Sequence, residues 1–171
     1  MIKVLAVDAQ EISRKHMVQT LSRYGELTVV AEARNFHDAL RIAATHEVDL
    51  AIVELMMVGC DGFELIRALL SMRPAMKILV ISARLEETTV ARALHMGAGG
   101  YMAKGGEPED IIAAIRTVAA GGRYVCPRIS QKIALTTLLS RSGYTRRGDT
   151  LTSGTHTSDA REGGTSRFET A

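Results

Sequence analysis

The segment Leu50-Ala51-Ile52-Val53-Glu54 gives the clearest indication of the fold, because four consecutive apolar residues lie directly before a carboxylate. An unbroken apolar run of this length is typical of a strand that is buried on both faces, as strands are in a parallel sheet. Further short runs rich in apolar residues lie on either side of it, at residues 2–7, 27–31, 78–81 and 99–102. The sequence therefore predicts five strands.

Longer segments with helical spacing of apolar residues separate these runs. The apolar residues of the first segment are Ile12, Met17, Val18 and Leu21. Asn35, followed three residues later by Asp38, marks the capped start of a second helix. Three more helices are predicted over residues 61–72, 86–96 and 108–120. Strands that alternate with helices predict a doubly wound α/β architecture, a parallel sheet with helices on both faces.

The composition changes towards the C-terminus. Apolar residues from Ile129 onward predict a linker helix within residues 125–140. Residues 141–171 contain five Gly, four Ser and seven Thr. Such a segment buries too little apolar surface to offset the entropy cost of ordering it, which predicts a disordered tail. We therefore divide the chain into a domain at residues 1–124, a linker helix at 125–140 and a disordered tail at 141–171.

The overall composition excludes several classes of protein. The 171 residues carry 21 Lys and Arg against 19 Asp and Glu, and this net charge of +2 gives no general attraction to nucleic acid or an anionic membrane. No apolar stretch approaches the length of a membrane span, and the first residues do not resemble a signal peptide. Two cysteines far apart in sequence predict neither a disulfide framework nor a zinc site. We expect a cytoplasmic protein that makes no contact with a membrane.

Four polar side chains directly follow predicted strands: Asp8, Glu54, Ser82 and Lys104. The carboxyl ends of parallel strands meet at one edge of the sheet, where such folds bind their ligands, so we expect these side chains to share one crevice. Two carboxylates, a hydroxyl and an ammonium could together hold a cation and a phosphoryl group. The crevice shows no paired nucleophile and base, and the sequence therefore predicts a protein that is not an enzyme.

Several motifs together resemble the receiver domains of bacterial two-component response regulators, over residues 1 to about 128. They are Val4-Leu5-Ala6-Val7-Asp8, residues 49–57 with Gly59, Asp61-Gly62-Phe63-Glu64-Leu65, residues 78–83, and Gly97-Ala98-Gly99-Gly100-Tyr101-Met102-Ala103-Lys104. The last motif, with residues 107–109 and 120–124 after it, is most similar to the NarL/FixJ subfamily. The resemblance implies a flavodoxin-like sheet with strand order 2-1-3-4-5 and a function in phosphorelay signal transduction.

Two positions depart from the family pattern. In that family an aspartate after the third strand accepts a phosphoryl group from a histidine kinase, and acidic residues after the first strand hold magnesium. Here Glu54 stands at the acceptor position, and the acidic pair is Asp8 followed by Ala9. Glutamate displaces the carboxylate by about a bond length, which in-line transfer tolerates poorly, and alanine removes a metal ligand. The resemblance therefore predicts a degenerate phosphoacceptor site formed by Asp8, Ala9, Glu54, Ser82 and Lys104.

No cofactor is expected, and at most a weak magnesium site at Asp8, Glu54 and Met56. Two interpretations of Glu54 stay open. Its longer carboxylate can reach Lys104 and Ser82, place negative charge where phosphoryl oxygens would lie and lock the site partly on. Alternatively, Glu54 and Lys104 form an ion pair that only stabilises the fold. By the resemblance, Tyr101 matches the aromatic residue that reports the switch, although a half-buried strand aromatic would look the same.

We expect an atypical receiver that controls transcription through protein contacts, independently of aspartyl phosphorylation. By resemblance, a protein partner or a second copy of the chain binds the face formed by the fourth helix, the fifth strand and the fifth helix. The alternatives are a weakly phosphorylatable receiver served by a histidine kinase, and a DNA-binding regulator whose helix-turn-helix domain is truncated here. The tail shows no helix-turn-helix pattern, so DNA binding is not expected, and the composition change suggests a truncated or frame-altered relative of a longer regulator.

Overall fold

Strands and helices alternate along the chain in the computed structural model, which describes residues 1–57 and 59–141. The strands are β1 (Ile2–Val7), β2 (Leu27–Ala33), β3 (Leu50–Val53), β4 (Met56–Met57), β5 (Cys60–Asp61), β6 (Lys77–Ser82), β7 (Gly100–Ala103) and β8 (Tyr124–Val125). The helices are α1 (Glu11–Leu21), α2 (Phe36–Thr45), α3 (Gly62–Met72), α4 (Glu87–His95), α5 (Pro108–Ala119) and α6 (Pro127–Arg141).

The main sheet is parallel, with the strand order β2-β1-β3-β6-β7-β8. Its first five members are the five predicted strands in the predicted order, and the flavodoxin-like fold is confirmed. The sheet also has a sixth strand, β8, which pairs with the outer edge of β7. A strand of two residues is too short to produce a recognisable apolar pattern, which is why the sequence did not predict it. The same reason applies to the small antiparallel pair β4 and β5, which lies between β3 and α3.

Burial explains why β3 is so apolar. All four of its residues are buried, because helices cover both faces of the sheet at this central strand. The neighbouring strands β1 and β6 are almost as deeply buried. The polar residues that follow these strands are thereby held by a rigid layer of packed backbone.

Local capping interactions set the ends of several helices. The Asn35 side chain accepts a hydrogen bond from the Asp38 amide at 2.8 Å, as the sequence predicted for the start of α2. Asp61 caps α3 in the same way by accepting from the Phe63 amide at 3.0 Å. Gly97 follows α4 with a φ of 104°, a backbone conformation that favours glycine.

The apolar residues that predict α1 do not all face the core. Ile12 is 87% exposed, whereas Leu21 is buried and Met17 and Val18 are partly buried. Ile12 precedes Met17 by five residues, which turns it by about 140° around the helix axis relative to Met17. It therefore points away from the core although it lies within the same apolar pattern.

A helix, α6, occupies most of the segment for which the sequence predicts a linker helix, and it begins next to the sheet. Ile129 in its first turn is buried, and Ile133 packs against the core one turn later. The predicted disordered tail lies outside the described residues except for Arg141, which ends α6. In the described part of the chain, no helix is both long enough and apolar enough to span a membrane.

Replacing Gly62 with alanine should destabilise the protein by about 1–3 kcal/mol, because a Cβ there overpacks a tight contact. The added atom would lie 2.5 Å from the Cα of Leu55, which is backbone and cannot rotate away. Gly25→Ala is the matched control, since nothing lies within 4 Å of its added Cβ. Urea denaturation followed by circular dichroism measures both variants. Equal free energies of unfolding for the two variants would contradict the close approach at Gly62.

Candidate functional site

The four predicted polar side chains lie together at the carboxyl edge of the main sheet. Asp8 follows β1, Glu54 follows β3, Ser82 ends β6 and Lys104 follows β7, and these four strands are consecutive neighbours. Asp8 is 3% exposed, Glu54 is 4% exposed and Ser82 is fully buried. The strand order alone is therefore enough to bring residues as distant in sequence as Asp8 and Lys104 into one buried cluster.

The Lys104 ammonium lies between the two carboxylates. Its Nζ is 2.7 Å from Oδ2 of Asp8 and 3.2 Å from Oε2 of Glu54, and it also donates to the side-chain oxygen of Gln10 at 3.2 Å. Burial acts to lower the pKa of Lys104, but the hydrogen bonds to Asp8 and Glu54 and the negative charges of these two carboxylates together hold the pKa above its ordinary value. The cluster thus contains one cation and two anions.

The second oxygen of Glu54 binds elsewhere in the same cluster. The Ser82 hydroxyl donates to Oε1 of Glu54 at 2.7 Å, and the backbone amide of Met56 donates to the same oxygen at 3.0 Å. The Met56 side chain is largely exposed and takes no part in this contact. Glu54 therefore reaches both Ser82 and Lys104, the two groups that the sequence predicted for its longer side chain.

A chain of hydrogen bonds continues from this cluster to Tyr101. The Arg84 amide donates to the Ser82 hydroxyl oxygen at 3.2 Å, and the Tyr101 hydroxyl donates to the carbonyl oxygen of Arg84 at 2.7 Å. Tyr101 is completely buried rather than half-buried. Its hydroxyl is thus linked to the Glu54 carboxylate through Ser82 and a single residue of the loop after β6.

Burial raises the pKa of Tyr101 to about 12. The folded protein therefore favours the neutral phenol, and this contribution to stability is complete below pH 10 and is lost as the pH rises from 10 to about 12. We expect Tyr101→Phe to cost about 1 kcal/mol at pH 8 through the lost hydrogen bond. The variant should also lose less stability than the natural chain between pH 9 and pH 12. Urea unfolding at several pH values measures both effects, and identical alkaline losses would contradict the assignment.

The site does not fit the magnesium ion that receiver domains of the resembled family hold. All carboxylate oxygens of Asp8 and Glu54 already accept hydrogen bonds or contact Lys104. Ala9 has no side-chain oxygen and packs against the core. Magnesium requires nearly octahedral oxygen ligands. Within residues 1–57 and 59–141, no three His, Cys, Asp or Glu side chains come together where they could hold a metal ion.

The structure adds residues that the sequence did not single out. Gln10 contacts Lys104, and Arg84 connects Ser82 to Tyr101. Gln10 lies two residues after Asp8 and Arg84 two residues after Ser82, so closeness in sequence to a predicted site residue is the signal that could have found them. An open cleft of about 770 Å³ lies above the cluster. On its far side the Arg92 guanidinium stacks 4.0 Å above the Phe63 ring and lies 3.5 Å from Asp61. These contacts connect α4 to the start of α3.

Comparisons with known proteins agree with this architecture. The family model described as the response regulator receiver domain matches residues 4–116. The response regulator GacA of Pseudomonas aeruginosa is 37% identical over 135 residues, which cover 79% of this chain and 63% of GacA. The chain thus spans less than two thirds of that relative.

Two solved structures are also similar. A two-component response regulator of the LuxR family from Aurantimonas sp. SI85-9A1 is 28% identical with a TM-score of 0.75, over 80% of this chain and 97% of that one. The signal receiver domain of a response regulator named NarL from Mycobacterium tuberculosis is 32% identical with a TM-score of 0.66, over 70% and 97% of the two chains. The chain therefore belongs to the response regulator receiver family of two-component signalling, in its NarL/FixJ-like group.

Proposed function

We propose that this protein is an atypical receiver whose signalling state is set by Glu54 and not by aspartyl phosphorylation. The observation that carries the proposal is the bridge that the Glu54 carboxylate makes between Ser82 and Lys104. In the receiver family these two positions read the phosphoryl group. Glu54 supplies them with a permanent negative charge and two acceptor oxygens.

The geometry of Tyr101 supports the same proposal. Its buried hydroxyl is connected to Glu54 through Ser82 and Arg84. In the receiver family the orientation of this aromatic residue reports the switch. We expect a buried Tyr101, together with a Ser82 hydroxyl that is hydrogen-bonded to Glu54, when the site is held in its signalling state.

The remaining parts of the proposal concern partners. The protein acts in the cytoplasm and controls transcription through a protein partner or a second copy, which binds the face formed by α4, β7 and α5 around Tyr101. The chain requires neither a histidine kinase nor magnesium for this state, and it does not bind DNA. It catalyses no reaction of its own. Residues 1–124 carry the receiver function.

Hydrogen exchange at residues 83–86 tests the proposal, because the Arg84 amide donates to the Ser82 hydroxyl. Glu54→Gln keeps the side-chain shape but removes the charge, and hydrogen bonds to a neutral acceptor are roughly half as strong. We expect exchange in this segment to become about fivefold faster in Glu54→Gln. The matched control is Glu87→Gln, an equivalent change at an exposed position of α4.

The same experiment includes the natural chain with acetyl phosphate and magnesium. We expect the phosphate donor to leave exchange at residues 83–86 unchanged. Two outcomes would overturn the proposal. The donor could slow exchange in the natural chain, or Glu54→Gln could exchange no faster than Glu87→Gln.

A further inference from the structure

Helix α6 packs beside β7 and reaches the loop between β6 and α4. Ile129 is 1% exposed, and Ile133 one turn later packs against the core. The Lys132 ammonium, on the turn between them, donates to the carbonyl oxygen of Leu85 at 3.2 Å. The helix is therefore attached both to the core and to the backbone of this loop.

The loop contacted by α6 is the one that the buried cluster holds. The Arg84 amide donates to Ser82, the Arg84 carbonyl accepts from Tyr101, and the next carbonyl, that of Leu85, accepts from Lys132. The carbonyl groups of two consecutive residues thus bind different partners: that of Arg84 binds Tyr101, and that of Leu85 binds α6. We expect a change in the position of Ser82 to displace this loop and with it the carbonyl oxygen that accepts from Lys132.

A second connection fixes the start of α6 to the strand that carries Tyr101. The Cys126 amide donates to the backbone carbonyl of Tyr101 at 3.1 Å, directly before α6 begins at Pro127. Cys126 itself is buried. Tyr101 is therefore connected to α6 in two ways. Its hydroxyl binds the loop that accepts from Lys132, and its backbone carbonyl binds the Cys126 amide directly before the helix.

The contacts that the structure describes between α6 and the domain lie in the first two turns of the helix. Among the described apolar side chains of α6, Ile129 and Ile133 contact the core, whereas Leu135 is 59% exposed. Elements with few buried contacts open locally at a low cost in free energy. We therefore expect the loss of one hydrogen bond in the loop to change how often α6 detaches.

We propose that α6 is the output element of this receiver: it stays docked while Glu54 holds Ser82 and the loop at residues 83–86, and it detaches when that hold is lost. The inference rests on the proposed function, since Glu54 sets the state of the site there. It identifies the segment of the chain whose docking depends on Glu54.

Hydrogen exchange of the backbone amides in residues 127–135 tests this inference on the full chain. Glu54→Gln and Ser82→Ala each break the path at a different point, and both should speed exchange in α6 by about fivefold. Ile133→Asp removes the docking contact and gives the rate of a detached helix. Glu87→Gln controls for a change of charge near the loop, and unchanged protection of α2 in every variant shows that the domain remains folded.

The outcomes separate this inference from the proposed function. Faster exchange in α6 for both path variants, without a change in α2, supports the inference. If Glu54→Gln speeds exchange at residues 83–86 but both path variants leave α6 unchanged, the inference is overturned and the proposed function stands. Equal exchange of α6 in the natural chain and in Ile133→Asp overturns the inference as well, because the helix is then not docked in solution.

Discussion

Replacing Lys104 with methionine is expected to lower the free energy of unfolding by about 3–5 kcal/mol at pH 7, because it leaves buried carboxylates without their cation. Asp8 and Glu54 are almost completely buried, and both contact the Lys104 ammonium. Methionine keeps much of the side-chain volume but supplies no charge and no donor. The loss therefore measures electrostatic compensation more than packing.

Two further variants show whether the lost stability comes from the buried charges. Lys15→Met removes an exposed ion pair with Glu11, and such pairs contribute roughly 0–1 kcal/mol. In the double variant Glu54→Gln with Lys104→Met, one of the two buried charges is also gone, so part of the lost stability should return. Urea denaturation monitored by circular dichroism compares the four proteins. A loss for Lys104→Met as small as that for Lys15→Met would contradict the buried cluster.

Placing aspartate at both position 9 and position 54 is expected to give the protein a phosphorylation that it otherwise lacks. In the variant Ala9→Asp with Glu54→Asp, incubation with acetyl phosphate and magnesium should add one phosphoryl group per chain. The shorter aspartate side chain at position 54 withdraws from Ser82 and Lys104, and position 9 gains an oxygen ligand for the metal. A carboxylate oxygen can then attack phosphorus, with acetate as the leaving group. Intact mass spectrometry detects the product.

The two single variants show which position limits the chemistry. Glu54→Asp alone provides the acceptor but leaves the metal ligand missing, and Ala9→Asp alone provides the ligand but not the acceptor. We expect either single variant to gain much less phosphoryl than the double variant. An unmodified double variant would show that the natural chain differs from an ordinary receiver at more than these two positions.

The strand pattern predicted the position of the site, because one polar residue lies at or directly after the carboxyl end of each of β1, β3, β6 and β7, and a parallel sheet brings those ends together at one edge. Asp8, Glu54, Ser82 and Lys104 could therefore be grouped without a structure. The bridge from Glu54 to Lys104 and Ser82 also followed from the extra methylene of glutamate. Such inferences succeed where regular backbone fixes the position of a residue.

Other features depend on contacts that leave no pattern in the sequence. The link from Arg84 to Tyr101 uses a backbone carbonyl, which every residue has, so no residue type marks it. Strand β8 has two residues and is held by its pairing with β7. Ile12 is exposed because it lies about 140° around the helix axis from Met17, and the apolar residues of α1 alone do not show which of them faces the core.

Intact mass spectrometry of the natural chain, incubated with acetyl phosphate and magnesium, tests most directly whether Glu54 has replaced phosphorylation. The donor requires no kinase, so the measurement examines the site itself. We predict an unchanged mass under conditions in which the Ala9→Asp and Glu54→Asp double variant gains a phosphoryl group. A gain of one phosphoryl group by the natural chain, lost again in Glu54→Gln, would contradict the proposal and identify Glu54 as a working acceptor.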